Sequence, residues 1–235
     1  RYIISRIVNH YADNIIANSK ATGYSISKNN KKLRIVYNGI ENKNKSSISN
    51  KGNEFIIGMA GRINRWKGQK LFVDAAEIIN KKYKTVKFRI AGTAYAGEEW
   101  IEEDLKKYIE EKGLRNSIDL LGQVSNMDDF YNSIDIFILP SIQPEPFGLV
   151  VLEAMEMRKP VISTNHGGPT EIIVSGKDGY LVDYKNAKEM AEVCMKLIED
   201  ENLRLKIAEA GYNKQKMYFS LEKTVLDIEQ ILSEL

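Results

Sequence analysis

From Phe55 onward the chain alternates between two apolar patterns. Short, nearly unbroken apolar runs at Phe55–Ala60, Val86–Ala91, Ile118–Leu121, Ile136–Leu139 and Val161–Ser163 predict strands buried on both faces. Between them, Gly68–Lys81 places Leu71, Phe72, Ala75, Ile78 and Ile79 at helical spacing, and Glu99–Lys112 reads as a polar helix. Met127–Ser133 is a short helix opened by the capping residue Asn126, and Gly148–Met157 is another helix. Gly179–Val182 supplies a sixth strand, with helices at Ala187–Asp200, Asn202–Met217 and Leu221–Leu235. Upstream, Asn14–Ser19 and Leu33–Tyr37 read as β-rich pieces. Glu41–Asn53, rich in Asn, Lys and Ser, reads as a linker or exposed loop. Strands alternating with helices predict a Rossmann-like three-layer α/β/α fold with a mostly parallel sheet. Ligands of such sheets bind outside the carboxyl ends of the strands, so the loops leaving each strand are where chemistry is expected.

Composition narrows the function. Lys and Arg total 34 against 32 Asp and Glu, a net charge of +2 that argues against a dedicated nucleic-acid partner. The single cysteine, Cys194, excludes an internal disulfide framework, suits a reducing, cytoplasmic setting and reads as core. His10 and His166 lack ligand spacing, so no metal site is expected. No apolar run approaches the roughly 18 residues that cross a bilayer. The start, Arg1-Tyr2-Ile3, carries no signal peptide and no initiator Met, and reads as the edge of an excised piece.

Three loops hold candidate chemistry. In Gly61–Gly68, Arg62, Arg65 and Lys67 gather at a helix start, where free amides and the dipole already favour an anion. Neither a Gly-x-Gly-x-x-Gly run nor a Gly-Lys-Ser/Thr loop occurs there, so a diphosphate would be neutralised by side chains. A merely solvated surface loop is the plainer alternative. In Pro140–Glu153, two prolines stiffen the chain around Glu145 and Gly148 opens a helix. Glu153 then lies about 7–8 Å along that helix. Each carboxylate can accept from adjacent hydroxyls, so the pair suits a polyol ligand, although paired glutamates are commonly solvated helix charges. In Thr164–Glu171, Gly167-Gly168 permits close approach to a ligand or simply a tight turn, and His166 is given no role.

Taken in order, these pieces resemble the family 4 retaining glycosyltransferases of the GT-B fold. The matching residues are Gly61-Arg62 with Lys67-Gly68, Leu139-Pro140-Ser141, Glu145-Pro146-Phe147-Gly148-Leu149, Leu152-Glu153-Ala154-Met155, Pro160-Val161, and Gly167-Gly168 with Glu171. Glu145 and Glu153 stand at the family's Glu-x7-Glu spacing. The resemblance implies the C-terminal, donor-binding half of a GT-B fold and sugar transfer from a nucleotide diphosphate with retained configuration. Uridine diphosphate is expected as carrier because it is common in the family. It implies Arg62 and Lys67 on the diphosphate, helix-start amides at Gly148, Leu149 and Val150, and Phe147 on the donor-sugar side. Glu145 would be catalytic beside the reacting carbon, Glu153 would take the ribose, and Gln123 and Val124 would border the base. No metal and no cofactor are implied, the nucleotide sugar being a substrate.

The same resemblance divides the chain. Residues 1–53 would be the tail of an N-terminal acceptor domain plus linker, 54–218 the donor domain, and 219–235 a helix packing toward the acceptor domain. The missing acceptor domain would carry a glycine-rich loop and a catalytic-site His, a role His10 does not match, and the 235-residue piece alone would be inactive. The full enzyme would be free to associate peripherally with a membrane. Met157-Arg158-Lys159-Pro160 departs from the family, which has Gly before the Pro-Val strand, and touches only the local turn. Alternatives are a nucleotide-diphosphate-binding module without catalysis, or an epimerase or phosphorylase of the same architecture.

Overall fold

A computed structural model describes residues 2–26, 30–42 and 54–234. Most of the segment expected to be a linker, residues 43–53, lies outside them. The chain opens with α1 (Tyr2–Tyr11), β1 (Ile15–Ala17), α2 (Lys20–Ile26) and β2 (Leu33–Ile35). β1 and β2 pair in parallel across α2 as a small separate sheet, with Ile15 opposite Leu33. The sequence reading missed α2, whose residues Lys-Ala-Thr-Gly-Tyr-Ser-Ile carry no helical apolar stripe.

The main unit runs β3 (Ile56–Ala60), α3 (Gln69–Lys82), β4 (Lys87–Ala91), α4 (Trp100–Glu111), β5 (Ile118–Gly122), α5 (Met127–Asn132) and β6 (Ile136–Leu139). It continues through α6 (Leu149–Glu156), β7 (Val161–Thr164), α7 (Pro169–Ile172), β8 (Tyr180–Val182), α8 (Ala187–Glu199), α9 (Glu201–Tyr218) and α10 (Leu221–Ser233). The short α7 replaces the plain turn expected after Gly168; its first residue is a proline, whose missing N–H costs nothing at a helix start.

The six strands pair in parallel in the order β5-β4-β3-β6-β7-β8. Period-two alternation sorts each strand's side chains between two cores. Ile57 and Met59 of β3 and Ile136 and Ile138 of β6 pack with α3, α4 and α8. Ile56, Ala60, Phe137 and Leu139 face the other way, against α5 and α6. That is the expected three-layer fold, and Cys194 is fully buried in the first core. β5, at the sheet edge, departs from the expected burial on both faces: only Ile118 is buried, and Asp119 and Leu121 are exposed. Arg158, in the position the family gives to glycine, adopts φ 48°. Such a left-handed residue costs about 1–2 kcal/mol. Its guanidinium rests over Tyr212 at 3.7 Å and its Nε donates to Glu209 at 2.9 Å, contacts that offset the strain.

The strand order reverses between β3 and β6, because the chain runs outward through β4 and β5 before returning to pair β6 with β3. The crevice at that reversal is where such sheets hold ligands.

Candidate functional site

The two loops leaving β3 and β6 carry the charges, and backbone contact fixes them together. Gly68, the N-cap of α3, has φ 77°, and a Cβ there would fall 1.8 Å from the Pro140 carbonyl oxygen. Ile142 N donates to Trp66 O at 2.8 Å. Asn64 Oδ1 accepts from the amides of Trp66 and Lys67, at 3.1 and 2.9 Å, and shapes the turn that delivers Lys67.

Lys67 Nζ lies 2.7 Å from Glu145 Oε2 with both side chains largely out of water. Ser141 Oγ donates to the same oxygen at 2.9 Å. The third loop supports this one from behind: Gly168 N donates to Glu145 O at 2.7 Å, while Thr164 Oγ1 donates to Ser141 O at 2.7 Å. Cβ atoms on Gly167 and Gly168 would meet the Glu145 and Phe147 backbones at 2.3 Å. The paired glycines thus serve contact between loops. His166 Nε2 lies 2.7 Å from Ser141 O and its ring stacks on Tyr184.

Beside this pair opens a cleft of about 340 Å³ bordered by Arg62, Gln123, Val124, Val150 and Glu153, with Gly92 and Thr93 from the end of β4. The structure therefore gathers five of the expected residues in one cleft. Lys67 and Glu145 form a separate cluster that does not line it. Arg62 is exposed, its guanidinium 3.6 Å from the centre of the Tyr95 ring, so its charge is held at the rim, with no acidic partner among the described residues. Glu153 Oε2 accepts from Tyr131 Oη at 2.8 Å. Burial first, then the Glu153 charge, push the Tyr131 hydroxyl well above its ordinary pKa and keep it a donor. Gly148, at φ 100°, opens α6 without a side-chain cap, and the Leu149 and Val150 amides lie in the turn that lacks intrahelical acceptors. Phe147, expected on the donor-sugar side, does not line this cleft. Its ring is buried, facing Tyr37 and Phe219 at 6.0 and 6.2 Å between centres.

Several residues at the site escaped sequence reasoning. Tyr131 is legible only as an apolar position of a short helix, and Ser141 only as part of Leu-Pro-Ser. Glu171 appeared in the resemblance without a role. Its carboxylate accepts from Lys20 N and Ala21 N, both at 2.9 Å, and from Tyr37 Oη at 3.0 Å, so it caps α2. From there Ser19 Oγ and Thr22 Oγ1 donate to Pro146 O at 2.5 and 3.2 Å. Residues near the N-terminus thus hold the loop that carries Glu145. The start of α10 closes onto the same segment, with Leu221 N donating to Ile40 O and Thr224 Oγ1 to Tyr37 O, both at 2.9 Å. Among the described residues no cluster of three potential metal ligands occurs, and no helix is long and apolar enough to cross a membrane.

Comparison with known proteins was made against this geometry. Residues 40–214 match the family model described as Glycosyl transferases group 1. An uncharacterised glycosyltransferase of Methanocaldococcus jannaschii is 30% identical over 227 residues, covering 95% of this chain and 60% of the relative. The capsular polysaccharide biosynthesis glycosyltransferase CapM of Staphylococcus aureus is 30% identical over 236 residues, covering 93% of this chain and 61% of the relative. The chain thus spans about three fifths of these relatives' length. Among solved structures, Anabaena HepE in complex with UDP and glucose superposes with TM-score 0.91 at 27% identity, over 99% of this chain and 66% of that one.

Proposed function

The chain belongs to the glycosyl transferases group 1 family, and we propose that its cleft binds a nucleotide diphosphate sugar, with uridine diphosphate as carrier, for transfer with retained configuration. The observation that carries this reading is the pairing of Lys67 with Glu145 beside a cleft bordered by Arg62 and Glu153. A diphosphate brings the charge that Arg62 lacks, and α6 and α3 offer amides at their starts. Lys67 then divides its charge between the diphosphate and Glu145. Glu145 faces the donor sugar with its second oxygen while Ser141 holds the first. Glu153, fixed by Tyr131, takes the ribose hydroxyls, and Gln123 and Val124 border the base. The chemistry needs no metal in this reading, since cationic side chains and helix-start amides carry the diphosphate charge.

Supporting the carrier, HepE is known in complex with UDP and with UDP-glucose. Relatives named for capsular polysaccharide and lipopolysaccharide core biosynthesis point to a glycoconjugate as product. The acceptor domain falls within the part of these longer relatives that the chain does not match, with residues 1–53 and 219–235 at its border. The full enzyme works in the cytoplasm, with an acceptor that can lie at a membrane surface. The test is titration calorimetry of the chain with UDP, UMP and uridine, with and without a chelator. Affinity that rises with each phosphate and survives the chelator is expected; equal affinity for all three sinks the diphosphate assignment.

A further inference from the structure

The loop that carries Glu145 is short of donors of its own. Pro144 and Pro146 flank the glutamate, and neither has an N–H with which to anchor the turn. Residues 145–147 are instead gripped from outside at three points. Gly168 N, at the start of α7, donates to Glu145 O at 2.7 Å. Ser19 Oγ and Thr22 Oγ1 donate to Pro146 O at 2.5 and 3.2 Å. The Tyr37 ring stacks on Phe147, 6.0 Å between centres and 23° between planes.

All three grips lead to one carboxylate. Ser19, fully out of water, caps α2 by accepting from Thr22 N at 2.9 Å. Glu171 takes the next two amides of that turn, Lys20 N on Oε2 and Ala21 N on Oε1, both at 2.9 Å. The same Oε2 accepts from Tyr37 Oη at 3.0 Å. Glu171 N in turn donates to Gly168 O at 2.9 Å, which ties it to the remaining grip. α2 has seven residues and buries only Gly23, so its first turn has little packing to hold it. A carboxylate across two free amides at the positive end of the helix supplies that hold.

We propose that Glu171 is a positioning residue for Glu145. Through α2 and Tyr37 it holds residues 145–147 so that the Glu145 carboxylate stays on Lys67 and faces the donor sugar. Lys67 sits on another loop, locked where Gly68 meets the Pro140 carbonyl, so a shift of residues 145–147 opens the 2.7 Å pair instead of carrying Lys67 along. A role limited to stabilising the small N-terminal sheet would end at α2; the hydroxyls on Pro146 O extend it to the loop. That the held carboxylate serves a sugar rests on the glycosyl-transfer reading, whereas the chain of contacts stands on geometry alone.

The experiment follows the side-chain carboxyl carbon resonance of Glu145 by NMR in the whole chain, assigned by its loss in Glu145→Gln. Lys67→Ala marks where the unpaired carboxylate resonates. Glu171→Gln, which removes one acceptor oxygen at constant size, should move the Glu145 signal toward that position. Calorimetry then compares UDP with UDP-glucose, UDP-galactose and UDP-N-acetylglucosamine. Glu171→Gln should weaken the tightest UDP-sugar by about fivefold or more and free UDP by less than about twofold. Ser19→Ala and Thr22→Val, which strip hydroxyls from Pro146 O and leave Glu171 intact, should act in the same direction. Combining Glu171→Gln with Ser19→Ala should add little to the larger single effect, because both act through one chain of contacts. Should Glu171→Gln fail to fold, the two hydroxyl variants carry the same comparison. The proposal is overturned if the Glu145 signal keeps its parent position in these variants, or if, where UDP binds, the UDP-sugar loses no more affinity than UDP. A moved signal in a chain that does not bind UDP keeps the positioning and defeats the donor reading; UDP binding with an unmoved signal does the reverse.

Discussion

At the ends of β3, β6 and β7 the loops beside the cleft form a wall closed by backbone against backbone, and a Cβ on Gly68, Gly167 or Gly168 would lie 1.8–2.3 Å from a main-chain atom. Gly92, just past β4, belongs to this wall as well, since its Cβ would fall 2.1 Å from Gly61 O. Beyond it the packing stops. Gly97, in the loop after β4, and Gly122, the last residue of β5, have nothing within 4 Å of the corresponding point. Tyr95, Trp100 and Leu121 stand exposed nearby. The tight wall carries the Lys67–Glu145 pair, and the open wall carries Gln123, Val124 and the aromatics. Holding opposite charges in a largely buried pair demands geometry that side-chain rotation cannot relax, and backbone contact supplies it. In the proposed reading the open wall would meet the outer parts of the nucleotide sugar, where shape can vary without disturbing the charges.

Four measurements test the contrast, in descending size. Gly68→Ala should cost about 3–5 kcal/mol in urea unfolding, combining left-handed strain with overpacking against a carbonyl that cannot move. Gly122→Ala, at φ 65° but in open space, should cost only about 1–2 kcal/mol of strain. Equal losses would erase the distinction between the walls.

Lys67→Ala and Arg62→Ala should each weaken nucleotide diphosphate binding by about 1.5–3 kcal/mol and leave the nucleoside nearly indifferent. Only Lys67→Ala should also lower stability, because it leaves Glu145 buried without its cation. Calorimetry and urea unfolding on both variants separate the two effects. A stability loss for Arg62→Ala as large as that for Lys67→Ala would place both cations on the tight wall.

The two glutamates sharpen the division further. Glu153→Gln should weaken free UDP by about 1–2 kcal/mol, whereas Glu145→Gln should spare UDP and weaken UDP-sugar by a similar amount. Equal damage to free UDP by both variants would contradict their separate roles.

The smallest effect is on pH. Burial first, then the hydrogen bond to Glu171, push Tyr37 up to about 12, so folding favours its neutral form. The contribution is complete below the ordinary tyrosine value near 10 and is lost as pH rises toward 12. The stability difference between the parent chain and Tyr37→Phe should therefore shrink across that window. A difference that stays constant would mean that Tyr37 does not titrate with the support it gives α2.

Much of the fold was legible. The apolar runs at Ile56–Ala60 and Ile136–Leu139 are buried throughout, and a run buried on both faces leaves its record in every residue. The helix start read at Asn126 is marked by a side chain that accepts from the first turn. Asn186, Asp200 and Ser220 cap their helices in the same way, although the sequence pattern places Asp200 in the preceding helix. α2 was not legible, because one buried residue, Gly23, leaves no stripe and its cap, Glu171, lies 151 residues from Lys20. Of the site, the residue types on each loop could be read. Their grouping into a Lys67–Glu145 pair and a separate cleft could not.

The sequence by itself determined which segments are strands and which loops carry charge, because burial period and turn chemistry are local properties of the chain. Only the tertiary structure decided which charges meet. The strand order brings Lys67 to Glu145 across 78 residues and carries the Glu171 carboxylate to the start of α2. It also sends the Phe147 ring into a core with Tyr37 and Phe219, away from the cleft. Each of these contacts depends on how non-adjacent strands stack, and no local period records that order.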